Sequence, residues 1–298
     1  MEPQWDDLRI FLAVAREESL SGAGRILKLD PATVGRRIAR LEAAFDAPLF
    51  VKSPQGYALS AAGERLLEHG ERVEQAMRGA TEALTGPSET LTGQIRIGAP
   101  DGCANYVLPQ VCASLAEENP DLEIQVVSLP RIVNLSRREA DIAIAVSPPN
   151  AGQLVVQKIT DYRLHLVASR KFVRQNGPFD TLDDLKGLPI IGYIPDMIYD
   201  SELDYLADLG LERVTLASNS VPVQLRFALN SGGLCIAHDF ALADHNFLRK
   251  VLPETISLTR SFYIVRHQGD QRSERLNRIT EKLVTGIRQE VARLEEQG

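Results

Sequence analysis

The chain has 298 residues, 44% of them hydrophobic, and a formal net charge of −7. That length admits one large or two to three smaller domains, and the composition is ordinary for a soluble globular protein. No run approaches the ~18 apolar residues of a membrane-spanning helix, and the overall acidity taken alone argues against a nucleic-acid partner.

The opening residues Met1-Glu2-Pro3-Gln4-Trp5-Asp6-Asp7 are acidic and polar, the reverse of a signal peptide, so a cytoplasmic location without a membrane partner is expected. Residues 5–18 read as a first helix with Leu8, Phe11, Leu12 and Ala15 on one face. A second short helix follows over Ser21–Lys28, with Ser21 as its expected cap. About three residues later a third begins. Asp30 is a good N-cap for it, and Pro31 suits its first position.

The third helix has two unlike faces. Val34, Ile38, Leu41 and Phe45 recur on one side, and Thr33, Arg36, Arg37 and Arg40 on the other. From Arg25 to Lys52 there are six Lys/Arg against three Asp/Glu, a local excess of +3 in an acidic chain. Local charge is what meets phosphate, so this stretch fits an anionic partner despite the net charge. Two tightly joined helices with a cationic second member form the helix-turn-helix pattern, whose second helix enters the DNA major groove.

Leu49–Leu59 reads as two short strands around Pro54 and Gly56, with Lys52 at the wing. Residues 1–60 are therefore expected to be a winged helix-turn-helix. Over 61–86 the spacing of Leu66, Val73, Met77, Ala80 and Leu84 suggests a narrow heptad seam, interrupted by Gly70. That is a linker helix that pairs two copies of the chain. Breakers in Thr85–Gly93 mark a domain boundary.

From residue 93 to 298 strands and helices alternate. The strands are Gln94–Ala99, Glu123–Ser128, Asp141–Val146, Leu164–Ala168, Thr215–Ser218, Leu234–Ala237 and Phe262–Arg266. The helices are Tyr106–Glu118, Leu135–Arg138, Leu203–Leu209, Val221–Asn230 and Ser273–Glu295. This predicts parallel sheets with helices on both faces, in two α/β subdomains around a cleft. The first takes about 93–162 and 266–298, the second about 163–265.

The N-terminal 85 residues resemble the LysR-type transcriptional regulators. The resemblance is carried by Leu8-x-x-Phe11, Ala13-Val14-Ala15, Ser19-Leu20-Ser21, Thr33-Val34-Gly35-Arg36-Arg37-Ile38, Leu41-Glu42, Pro48-Leu49-Phe50 and Leu59-Ser60-x-Ala62-Gly63. Further on, Ile95–Gly98, Leu108-Pro109, Asn119-Pro120-Asp121, Arg138–Ile144, Ser218-Asn219-Ser220 and Gly232–Ala237 look like that family's effector-binding domain. The resemblance implies a winged helix-turn-helix, a linker helix and a periplasmic-binding-protein-like effector domain. It implies a homo-oligomer, usually a tetramer, on an inverted repeat in double-stranded operator DNA, with RNA polymerase a candidate further partner. No cofactor, metal or catalytic function is expected.

By that resemblance Pro31, Ala32, Thr33, Arg36, Arg37, Arg40 and Lys52 fall on the DNA-binding surface. The family commonly has Ser, Gln and Pro where this chain has Asp30, Pro31 and Ala32, and often Ser at Gly35. Readout is thereby shifted towards Thr33, Arg36 and Arg37. The effector cleft is placed at Asp101, Gly102 and Cys103, at Ser128 and Leu129, at Ser147, at Ile194 and Pro195, and at Ser218, Asn219 and Ser220. Family members often carry Ser or Thr on the first of these loops, where a hydroxyl and a helix dipole suit a carboxylate effector. Here Asp101 stands in that loop, expected to cap its own helix and repel an anion. The effector is then neutral, cationic or metal-assisted.

Enzyme motifs for nucleophilic hydrolysis, zinc proteolysis and nucleotide binding are missing. His238-Asp239 is a weak acid–base candidate, and His238 with His245 a weak metal pair. Three cysteines, Cys103, Cys112 and Cys235, form no C-x-x-C pair. Two alternatives stand beside the regulator reading. One is a thiol-based redox sensor in which a helix N-terminus lowers the pKa of Cys103; the other, weaker, is a solute-binding receptor.

Overall fold

Ile10, Phe11, Leu12 and Val14 are all but wholly buried, so the first helix, α1 (Trp5–Glu17), is apolar around most of its girth. It forms the centre of the N-terminal core. α2 (Leu20–Leu27) starts earlier than its sequence suggests. Ser19, not Ser21, caps it, accepting from the Gly22 N–H at 3.2 Å. Lys28 turns the chain in the left-handed region (φ 54°). α3 (Pro31–Phe45) then begins as expected, with Asp30 accepting from the Ala32 N–H at 2.8 Å. Val34, Ile38 and Leu41 enter the core beside Phe11, Leu49 and Phe50. Phe45 stays 43% exposed, so the buried face of α3 ends a turn sooner than the spacing implied. The wing is β1 (Phe50–Ser53) paired antiparallel with β2 (Gly56–Leu59), Phe50 opposite Leu59.

The computed structural model describes residues 3–53, 56–85, 90–128, 140–149, 153–206, 214–243 and 245–298. The chain divides into two compact units, one in the N-terminal 88 residues and one beyond them. The wing turn Pro54-Gln55, the side chain of Lys52, the hinge residues 86–89, Leu129 and the expected helix Leu135–Arg138 lie outside the described parts.

α4 (Ala61–Thr85) is docked along its first half. Leu66 and Leu67 pack against the N-terminal core, and Arg16 makes a two-pronged ion pair with Glu74 at 2.8 and 3.3 Å. Leu66 therefore points inward and leaves the expected seam. Val73 (42%) and Met77 (52%) remain exposed, as does Ala80, while the side chain of Leu84 lies outside the described residues. The docking requires a close approach at Gly63, where a Cβ would stand 2.1 Å from the Leu49 carbonyl oxygen.

In the second unit the elements are β3 (Gly93–Ala99), α5 (Asp101–Tyr106), α6 (Leu108–Glu118), β4 (Leu122–Ser128), β5 (Ile142–Ala145), β6 (Leu154–Ser169), α7 (Arg170–Asn176), β7 (Ile190–Gly192), β8 (Val214–Ala217), α8 (Val221–Leu229), β9 (Leu234–His238), β10 (Leu248–Lys250), β11 (Ser257–His267) and α9 (Glu274–Gln297). The sheet runs β4-β3-β5-β11-β6-β9-β7-β8, with β10 on β6. Two parallel trios, β4-β3-β5 and β9-β7-β8, are joined through β6 and β11, which pair antiparallel with each other and with their neighbours. The expectation of purely parallel sheets is corrected accordingly. β6 is sixteen residues long and β11 eleven, so both outrun the apolar stretches that signalled them. The expected helix Tyr106–Glu118 begins at Leu108 as α6, with the separate short helix α5 before it, and a short 3₁₀ turn (Ser201–Leu203) replaces the described start of the expected helix at Leu203–Leu209. α9 packs Ile279, Leu283, Ile287 and Val291 onto the main core. No described helix is long and apolar enough to cross a membrane.

Replacing Gly63 by Ala places a methyl inside the Leu49 carbonyl contact and forces the start of α4 away from Leu49 and Leu59. The N-terminal unit is expected to lose about 3 kcal/mol by denaturant titration. Ala62→Gly next door, without that contact, is expected to cost about 1 kcal/mol.

Candidate DNA-reading face and effector cleft

The outer side of α3 carries Pro31, Ala32 and Arg36 exposed, with Thr33 half-buried. Arg36 donates to the Thr33 hydroxyl at 3.0 Å, which holds the guanidinium over the first turn of the helix. Arg25 and Lys28 are also on the solvent side of their turn.

Arg37 and Arg40 are placed differently. Asp7, on α1, is 1% exposed. Its carboxylate accepts from Arg37 Nη1 at 3.1 Å and from Arg40 Nε and Nη2 at 2.6 and 2.5 Å. Arg40 also reaches Gln4 Oε1 at 2.9 Å. Both arginines are thus partners of a buried carboxylate, not three free charges in a row with Arg36. Burial pushes the Asp7 carboxyl up, but the hydrogen bonds from Arg40 and Arg37 outweigh it and hold the group below its usual 3.8. Nothing in the sequence near Asp7 marks it, because its partners lie 30 and 33 residues away.

In the second unit, the candidate site residues lie at or just after the ends of the strands of the two parallel trios. Asp101 follows β3, Ser128 closes β4 and Ser147 follows β5; Ile194 follows β7, Ser218–Ser220 follow β8 and His238 closes β9. The structure brings several of these together. Asp101 Oδ2 accepts from the backbone N–H of Val221, the first residue of α8, at 2.6 Å. Asp101 Oδ1 accepts from Asn105 Nδ2 at 3.0 Å and from Ser128 Oγ at 3.2 Å. Asp101 was expected to cap its own helix. It makes no such cap on α5, which starts after Pro100, and serves α8 instead. Ser220 sits at the N-cap of α8 but its side chain makes no capping bond. Ser218 Oγ accepts from the Ser220 N–H at 3.1 Å, and its carbonyl accepts from Gln224 Nε2 at 2.7 Å.

Ser147 Oγ donates to Asp200 Oδ2, whose other oxygen accepts from the Glu202 N–H at 3.0 Å. Gly102 is buried, with its ideal Cβ position 3.4 Å from His238 Cε1 and 3.5 Å from Val221 Cγ2. Ile194 is half-buried, Pro195 exposed and Asn219 half-buried. Sequence reasoning missed Asn105, Asp200 and the Val221 N–H, each of which acts through a partner chosen by the fold.

Cys103 departs from its expected role. It is 1% exposed and part of the core. Burial pushes its thiol far above the normal range, with the neighbouring Cys112 adding to the shift. Burial also raises Cys112 to about 11 and Cys235 to about 12. This runs against the expected thiolate stabilised by a helix N-terminus, because desolvation disfavours the charged form.

The pair His238-Asp239 is split by the fold. Asp239 faces His165 Nδ1 at 2.7 Å and Lys250 Nζ at 3.1 Å. His238 lies among Tyr162, Tyr205 and Phe240, its Nε2 3.3 Å from the Tyr205 hydroxyl and its Nδ1 without a partner. Burial lowers its pKa to about 4, against a smaller opposing pull from Asp239. His245 packs edge-on to Tyr106, and among the described residues no group of three His, Cys, Asp or Glu is placed to hold a metal.

Two pH effects follow with defined signs. Asp7 has a depressed folded pKa, so its contribution is complete above its unfolded pKa and disappears as pH falls through the lower folded value. An Asp7→Asn chain is expected to melt lower at neutral pH and to show a shallower loss of stability below pH 3.8. His238 also has a depressed folded pKa, but as a base. The unfolded chain binds its proton first, so stability falls by about 3 kcal/mol from pH 6.5 to 4. An NMR titration of the His238 imidazole is expected to show no protonation down to about pH 5.

Comparison with known proteins places both units. Residues 5–64 match the model of the bacterial regulatory helix-turn-helix protein, lysR family, and residues 88–287 match the LysR substrate binding domain. The HTH-type transcriptional regulator DmlR of Escherichia coli is 30% identical over 63% of this chain and 62% of its own length. The Mau operon transcriptional activator of Paracoccus denitrificans is 30% identical over 56% of this chain and 58% of its own. Each of these matches thus spans less than two thirds of the relative. The structure of a full-length OxyR variant from Pseudomonas aeruginosa shares the fold, with a TM-score of 0.76 at 15% identity over 97% of this chain and 95% of that one. The chain belongs to the LysR family of transcriptional regulators, with an N-terminal helix-turn-helix and a C-terminal effector-binding domain.

Proposed function

We propose that this regulator binds a two-fold operator as a homo-oligomer, with the N-terminal end of α3 in the major groove, and answers to a small molecule held between the lobes of its second unit. It acts in the cytoplasm and has no catalytic role. The observation that carries the DNA reading is the division of labour among the arginines. Arg36 is exposed beside Thr33, while Arg37 and Arg40 are tied to Asp7. Arg36 is then the side chain free to reach a guanine edge, with Thr33 holding it and Pro31 and Ala32 passing close to the bases. Arg37, Arg40 and the wing residue Lys52 serve phosphates. The exposed Val73, Met77 and Ala80 on α4 form the strip on which two copies pair.

The effector site uses the residues gathered at the strand ends, apart from Cys103, which belongs to the core. A carboxylate already lies on the α8 N-terminus, so the effector is not a simple carboxylate.

The test is binding to the DNA just upstream of its own gene, against scrambled DNA, at a stated salt concentration. A protected two-fold site with a large specificity ratio supports the proposal; weak binding, equal for both DNAs, counts against it. In the same assay Arg36→Ala is expected to cost about 1–3 kcal/mol on the operator and to relax selection at one base pair per half-site. Equal weakening on all sequences would make Arg36 a phosphate contact.

A further inference from the structure

The cleft contains an arrangement that goes beyond effector binding. The N-terminus of a helix is an anion seat, since its first N–H groups are unpaired and its dipole is positive there. In α8 the second residue is Pro222, which has no N–H, and the Gln224 N–H bonds the Ser220 carbonyl. The Ser220 side chain leaves the seat unfilled. What fills it is Asp101, 120 residues away and on the other lobe. Both oxygens of its carboxylate are engaged, with Val221 N–H on Oδ2 and Asn105 and Ser128 on Oδ1. Among the described residues no Lys or Arg pairs with it.

A second carboxylate makes a second bridge between lobes. Asp200, beside the 3₁₀ turn Ser201–Leu203, accepts from Ser147 at the end of β5. Gly102, next to Asp101, faces His238 and Val221 of the other lobe, and a Cβ there would stand in ordinary contact at 3.4 and 3.5 Å.

We propose that Asp101 is a built-in anionic ligand of α8 and, with the Ser147–Asp200 bond, latches the two lobes closed. The closed arrangement is then the resting state of the domain, reached with no carboxylate from solution. An effector acts by displacing Asp101 from α8, which requires a hydrogen-bond donor or a cationic group offered to that carboxylate. This rests on reading the second unit as an effector domain, but the latch itself is measurable without DNA or effector.

The experiment is hydrogen exchange by mass spectrometry on the full chain and on Asp101→Ala, in sodium formate or in sodium chloride at matched ionic strength. The latch predicts about tenfold faster exchange in two segments of the variant, the first turn of α8 and residues 200–203, with α3 unchanged. Formate, a free carboxylate small enough for the vacated seat, slows both again in the variant and leaves the parent chain unaffected. Faster exchange confined to α8 overturns the latch and leaves Asp101 a local cap. No change in either segment, or no response of the variant to formate, overturns it as well. If Asp101→Ala does not fold, Asp101→Asn carries the test. It keeps the shape and one acceptor, so about threefold acceleration is expected in the same two segments. Operator binding, read separately, reports on the regulator function whichever way the exchange result falls.

Discussion

The pairing of β6 with β11 is the constraint on which the second unit rests. Their register runs from Ser257 opposite His165 to His267 opposite Leu154, with one irregularity between Phe262 and Tyr263. These two strands carry the sheet from one parallel trio to the other. They fix the distance and angle at which the strand ends of the trios face each other. Phe262 and Tyr162, one on each strand, stack at 4.2 Å and support the ring of His238 beneath the cleft. The described residues Asp101, Ser128, Ser147 and Ser218 stand at or just after strand ends of the sheet that this crossover joins.

Within both units, buried or half-buried carboxylates do the organising. Asp7 gathers Arg37 and Arg40 and ties α1 to α3. Asp101 serves the α8 N-terminus, Asp200 binds Ser147, and Asp239 lies between His165 and Lys250. A carboxylate out of water is costly unless each oxygen finds donors. Such groups therefore demand definite partners, where apolar packing tolerates several. Among the described residues these carboxylates stand at places where geometry has to be held, Asp101 and Asp200 among the candidate site residues.

The thiols and His238 show the same physics without charged partners at hydrogen-bond distance among the described residues. Cys103 sits close to the candidate site residues in sequence, yet its burial pushes the thiol up and disfavours the thiolate. His238 stays neutral near physiological pH for the same reason. Likeness to an OxyR structure at 15% identity shows a shared fold. Thiol chemistry is decided by environment, and here the environment is the core.

The sequence by itself determined the two-unit organisation, the helix-turn-helix with its Asp30 cap, the wing and the alternating strands and helices of the second unit. These signals are local: a cap acts within three residues, an apolar face repeats within a turn, and the family motifs are short. Through the resemblance it also pointed to Asp101, Ser128, Ser147 and Ser218–Ser220 as candidates, and the structure joins Asp101 directly to Ser128 and to Val221 beside Ser220. The sequence misplaced the cap of α2, overran the buried face of α3, put Leu66 on the wrong side of α4 and shortened β6, whose outer half alternates too weakly to read. Only the tertiary structure decided that Arg37 and Arg40 belong to Asp7, that Cys103 is core, and that Asp101 caps α8 rather than its own helix. Those partners are separated by 30 to 120 residues. A hydrogen bond depends on distance in space, and until the crossover strands and α1 set those distances, nothing local to either partner specifies the other.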